Sequence, residues 1–138
     1  REAHFIIDER IPAKNLFIGE AFVNPGSWAS YPPHKHDIDN MPDENFSEEI
    51  YYYQFNLPQG FGIQRVYTDD KELDEVYVVE NHDVVEIPKG YHPFSLAPGY
   101  CGYYLWVMGG ENRGFFMNFQ KEHAWINALD TFLTKNQL

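Results

Sequence analysis

Cysteine is nearly missing from this chain. Among 138 residues there is one, Cys101, so no internal disulfide can form and a fold held by covalent staples is excluded. A lone thiol fits a reducing, cytoplasmic setting, and Cys101 is expected to behave as a small buried hydrophobe. Basic residues are also scarce. Ten Lys and Arg stand against 21 Asp and Glu, a formal charge of −11. Such a surface repels phosphate backbones, so no nucleic-acid partner is expected. No signal-peptide pattern is visible and no apolar run is long enough to span a bilayer, so no membrane partner is expected either.

The chain is rich in rings and turn formers instead. Aromatics make up 17% of it, with 10 Tyr and 11 Phe, and such residues favour pleated, half-buried surfaces. Nine Pro and 10 Gly supply the turns that many short strands need. The length suits one domain with a core of its own, and the reading is a single domain over 1–138. The opening Arg1-Glu2-Ala3-His4 reads like the interior of a longer protein.

Strands are expected at Phe5–Ile7, Leu16–Val23, Glu49–Phe55, Phe61–Tyr67, Glu75–Val79, Asp83–Pro88 and Tyr100–Met108, with a last short one in Phe115–Phe119. The stretch Trp28–Asp37 carries Pro32-Pro33, so it should run extended near a sheet edge or barrel rim. Asp37–Ser47 is polar and acidic and reads as a solvated loop. From His123 to Leu138, the apolar Trp125, Ile126, Leu129, Phe132 and Leu133 recur at helical spacing, which predicts one C-terminal amphipathic helix. Many short strands between turns point to an all-β sandwich or closed barrel.

Four residues carry the chemistry. His34 and His36 are two apart on an extended segment, so both side chains point one way and Lys35 the other. Glu49 opens the next strand, and His92 follows Pro88-Lys89-Gly90-Tyr91. Three imidazoles and a carboxylate suit a borderline divalent ion such as zinc, manganese, iron or nickel. His4, His82 and His123 lie outside this pattern and are read as non-ligands, with His123 nearest to a claim on the pocket rim.

His-X-His, a spacer, Glu and a strand, then Pro-X-Gly with a following His, resemble the two cupin motifs. The resemblance implies a double-stranded β-helix, or jelly-roll barrel. A narrower likeness runs through Trp28–Asp37, Glu48–Tyr53, Gln64–Asp70, Pro88–Pro93 and Pro98–Tyr100. Over roughly residues 16 to 126 the chain is similar to the 5-deoxy-glucuronate isomerase family of inositol catabolism. It resembles the C-terminal, metal-bearing half of that two-cupin chain, or a stand-alone relative of it. Against that pattern, Cys101 stands where Asp is expected and Trp106 where Asn is expected. If Trp106 faces the cavity, substrate shape should differ.

The resemblance implies a metal-dependent aldose–ketose isomerisation of a uronate sugar, in which a cation polarises the C1 carbonyl and a base moves a proton between C2 and C1. Tyr51 and Tyr53 share the face of Glu49 and are the candidate proton relays; the plainer expectation for both is barrel filling. Arg65 is the first candidate cation for a sugar carboxylate, with Lys35 second, although a solvated rim position is the ordinary fate of such a lysine. The same ligands would serve a cupin dioxygenase or a non-catalytic sugar-binding cupin. The expected partners are a small sugar acid and either a second copy of the chain or an N-terminal cupin half.

Overall fold

The computed structural model describes residues 1–128. Its strands are β1 (Glu2–Ile7), β2 (Leu16–Val23), β3 (Trp28–Ala29), β4 (His34–Lys35), β5 (Glu48–Phe55), β6 (Gly62–Tyr67), β7 (Asp74–Val79), β8 (Val84–Ile87), β9 (Phe94–Leu96), β10 (Gly102–Gly109) and β11 (Asn118–Phe119). They form a five-stranded sheet in the order β1-β2-β10-β5-β8, a four-stranded sheet β3-β9-β6-β7 and a small pair β11-β4. All pairings are antiparallel. The all-β expectation holds. Helix begins at 125–128, and the remainder of the expected C-terminal helix lies outside the described residues. Strand β9 was not expected from the sequence, and of Phe115–Phe119 only the last two residues pair.

Strict alternation builds the interior. Along β5 the buried residues are Glu49, Tyr51, Tyr53 and Phe55; along β10 they include Tyr104, Trp106 and Met108. Register stacks them in rungs: Met108 opposite Glu49, Trp106 opposite Tyr51, Tyr104 opposite Tyr53. On the far side of β10, Phe17, Gly19 and Ala21 of β2 continue the same rungs. Period-2 side-chain geometry therefore places the Glu49 carboxylate and a ladder of aromatic rings on one inward face. Gly19 is small for a reason. A Cβ there would lie 2.1 Å from the Trp106 indole, so the ring packs directly over the strand backbone.

Deeper in the barrel, Tyr53, Phe94 and Tyr104 close the core, their ring centroids 5.0 to 5.9 Å apart. Each such pair contributes roughly 0.5–1.5 kcal/mol beyond its buried area. The turn before β8 carries His82 at φ 72°, a left-handed conformation that glycine usually fills. Two expectations about the surface fail. Cys101 is exposed, because it lies in the turn beside Asn56, whose Oδ1 accepts its N–H at 3.0 Å. The 37–47 loop is not simply solvated, since Glu44, Asn45 and Ser47 are buried. The Glu44 carboxylate accepts the N–H groups of Asp37 at 2.8 Å and Ile38 at 3.2 Å, which folds the loop onto itself.

Candidate metal centre and its cavity

Strand alternation, a folded loop and a glycine turn deliver the ligands from three directions. His36 follows β4, Glu49 sits second in β5, and His92 follows the Gly90 turn. One ligand atom from each of these three lies within 4.8 Å of the other two, and all three residues are buried. His34 stands beside them without belonging to that tight group. Its ring meets the His92 ring edge-on at 4.8 Å between centroids.

Each histidine is fixed through Nδ1 to a backbone carbonyl: His36 to Ser47 at 2.8 Å, His92 to Gly90 at 2.9 Å and His34 to Pro32 at 3.3 Å. A carbonyl can only accept, so Nδ1 carries the proton in all three. That leaves the Nε2 lone pairs available for a cation, the arrangement that orients histidine ligands in metal sites. His92 Nε2 is fully buried with no hydrogen-bond partner, yet lies 3.3 Å from Glu49 Oε2. Two electron-rich atoms thus face each other away from water. Such an arrangement is costly unless a cation sits against both. His36, Glu49 and His92 therefore fit a metal ion.

The electrostatics agree. Burial pulls the His92 imidazole down to about 3 and, with help from the neighbouring His36, does the same to His34. Both are held neutral, as ligands must be. Burial also works against the charged form of His36, but the Glu49 carboxylate, 3.1 Å from its Nε2, outweighs it and raises the His36 value. Glu49 thus favours positive charge at this position, which a bound cation would supply.

His34, His36 and Glu49 border a cavity of about 220 Å³, with His92 buried behind them, smaller than the roughly 300–1,000 Å³ of drug-sized sites and suited to a small molecule. Tyr51, Ser30 and Tyr104 give it a line of hydroxyls. Tyr51 Oη and Ser30 Oγ are 2.6 Å apart, and Tyr104 Oη is 3.4 Å from the same Oγ. Trp106, Met108 and Phe115 form an apolar wall, so Trp106 does face the cavity. Sequence reasoning passed over Ser30, Tyr104 and Arg1, all of which line it. Alternation could have found Tyr104 from Trp106, and Arg1 from Phe5.

The other sequence candidates lie elsewhere. Tyr53 does not line the cavity, and its phenol turns away to donate to Gln64 Oε1, making it core. Arg65 is on the outer side of β6, where its guanidinium donates to both oxygens of Asp74 at 2.7 and 2.8 Å. Replacing Arg65 with alanine should leave kcat/KM unchanged and cost no more than about 1 kcal/mol in a denaturant melt, as for exposed ion pairs generally. Lys35 is no solvated rim lysine; it is half-buried between Asp37 and Glu44. His123 borders an outer groove with Trp28, Tyr31 and Arg65, away from the metal ligands.

Comparison with known proteins places this geometry in context. The model of the KduI/IolB family matches residues 1–126. The 5-deoxy-glucuronate isomerase of Geobacillus kaustophilus is 52% identical over 126 residues, covering 91% of this chain and 46% of its own length. That of Bacillus licheniformis is 47% identical over 127 residues, with 91% and 47% covered. The chain thus spans about half the length of the relatives it matches. A crystal structure of an IolB-like protein from Salmonella typhimurium superposes with a TM-score of 0.88 at 47% identity, covering 91% of this chain and 48% of that one. A cupin-like protein from Thermotoga maritima superposes with a TM-score of 0.60 at 14% identity, covering 90% and 81%, and supports the cupin barrel as the fold.

Proposed function

The chain belongs to the KduI/IolB family, and from that premise we propose that it is the metal-bearing half of a divalent-metal-dependent aldose–ketose isomerase acting on 5-deoxy-glucuronate. One observation carries the metal part of this reading: the buried, unpartnered Nε2 of His92 set against Glu49. His36, Glu49 and His92 would hold the ion, with His34 as the fourth ligand from the same wall. When bound, a zinc, manganese, iron or nickel ion supplies Lewis acidity to the sugar carbonyl.

The residues around it do the rest. Glu49 serves as a ligand and is not a free base. Tyr51, hydrogen-bonded to Ser30, presents a phenol to the cavity on the face of Glu49. Ser30 links it to Tyr104, and burial keeps both phenols neutral, so the cavity presents a short row of hydroxyls that donate hydrogen bonds to the sugar oxygens where charge develops. Trp106, Phe115 and Met108 exclude water from that side. The other half of the relatives' length is assigned to a second cupin half, so the whole enzyme is the object to test.

The experiment is metal analysis of the purified full-length protein followed by an anaerobic assay with 5-deoxy-glucuronate. The expected result is bound divalent metal and turnover without oxygen, abolished by chelation and restored by metal. Oxygen consumption in place of isomerisation would assign the site to a dioxygenase, and bound metal without either reaction to a sugar-binding cupin.

A further inference from the structure

We propose that Arg1 is the carboxylate anchor of the cavity, a positioning residue that holds the acid group of an anionic sugar while the other end of the sugar faces His36, Glu49 and His92. The nature of the sugar rests on the isomerase reading; the placement of the cation does not.

Three observations support it. The first is alternation along β1. Arg1, Ala3 and Phe5 all line the cavity, two residues apart each time. Their neighbours Glu2 and His4 point out to solvent, where the His4 ring lies 2.8 Å from the Glu2 carboxylate. Pairing of Ala3 with Ala21 and of Phe5 with Gly19 fixes that face. Ala3 and Ala21 keep their rung small beside the Arg1 side chain, while Trp106 fills the next one over Gly19. The second is uniqueness: among the described residues lining the cavity, Arg1 is the sole Lys or Arg.

The third is that the alternatives are engaged. Arg65 is paired with Asp74, Lys35 with Asp37 and Glu44, and Arg10 with Asp8. Arg113 donates to the carbonyls of Leu16, Asp8 and Ile11. Arg1 instead lines the cavity together with Tyr104 and His34. Its guanidinium fork can take a carboxylate in two parallel bonds.

The chemistry requires such a group. The chain carries a net charge of −11 and a carboxylate, Glu49, in the cavity wall. An anionic sugar entering there meets repulsion unless a local cation offsets it. The acid group and the reacting carbonyl lie at opposite ends of a uronate. A cation just ahead of β1 and metal ligands around β4 and β5 would bind those ends separately and fix which carbons face the row of hydroxyls.

The test compares two ligands on the full-length, metal-loaded protein by calorimetry. One is 5-deoxy-glucuronate reduced at C1, which keeps the carboxylate and cannot isomerise. The other is its neutral counterpart with CH2OH in place of the acid. Arg1→Gln should weaken the acid by roughly 10- to 100-fold, the size expected when a charged hydrogen bond is lost. It should leave the neutral ligand, the metal content and the melting temperature unchanged, and Arg1→Lys should recover part of the loss. In turnover the loss should fall on KM more than on kcat. Equal binding of the acid by Arg1→Gln and wild type overturns the anchor, and so does a wild type that does not prefer the acid. A protein that fails to isomerise 5-deoxy-glucuronate but shows an Arg1-dependent preference for the acid keeps the anchor and sinks the isomerase reading alone.

Discussion

His92→Ala should strip the protein of its metal. Wild type is expected to carry about one ion per cupin site, and the variant should lose more affinity than the roughly 10–100-fold that removal of an outer-shell partner costs. Isomerase activity should fall to background with it. The reasoning is specific to this side chain. His92 is 0% exposed, its Nδ1–H is committed to Gly90, and its Nε2 has no partner but faces Glu49. An ordinary core histidine would have used both nitrogens.

Truncation of a buried ring also leaves a void, which destabilises by itself, so loss of stability alone decides nothing. The discriminating measurement is the response to chelator. A ligand present at a hundred times its dissociation constant adds roughly 2.7 kcal/mol to the folded state, which corresponds to about 5–10 °C in the melting midpoint for a domain of this size. Chelation should lower the wild-type midpoint by that amount and leave His92→Ala where it was. If the variant keeps both its metal and its chelator shift, His92 is packing and the centre lies elsewhere.

Much of this architecture was legible in the residue order, for identifiable reasons. The strand Leu16–Val23 matches its expectation residue for residue, because an apolar run broken only by Gly19 and Glu20 continues until Asn24-Pro25-Gly26 stops it. The gathering of His36, Glu49 and His92 was legible because a two-residue period and a Pro-X-Gly turn constrain direction locally, whereas His34, read with them, stands outside that tight group. Depth was not legible. Tyr51 and Tyr53 share one face, and only the opposing sheet shows that Gln64 meets Tyr53 while Ser30 and the cavity meet Tyr51. Pairing across strands was equally hidden. Arg65 looked free until the β6–β7 register brought Asp74 to it. Phe94–Leu96 is three residues long and follows a proline, too short for periodicity to register. Arg1 escaped notice because the first strand was expected to begin at Phe5, whereas pairing with β2 starts at Glu2.

Gly90→Ala should be far more damaging than Gly99→Ala, and the two surroundings show why. Both glycines hold left-handed backbone, φ 87° at Gly90 and 86° at Gly99, so alanine pays a similar conformational cost of roughly 1–2 kcal/mol at each. Their surroundings differ. A Cβ on Gly99 meets nothing within 4 Å, but one on Gly90 would lie 2.5 Å from the Tyr67 carbonyl oxygen and 2.9 Å from its carbon. Those are backbone atoms, held by the reciprocal Tyr67–Tyr91 bonds of 2.9 and 2.8 Å, and they cannot swing aside. Overpacking of that kind adds about 1–3 kcal/mol. The turn must therefore shift, and two contacts shift with it: the Gly90 carbonyl that orients His92, and the Gly90 N–H that donates to Asp37 Oδ2 at 2.9 Å. Gly90→Ala should accordingly lose about 2–5 kcal/mol in denaturant melts and roughly 10–100-fold in metal affinity. Gly99→Ala should lose only the first increment and bind metal as wild type does. Equal effects from the two substitutions would mean that the Gly90 turn does not position the metal ligand.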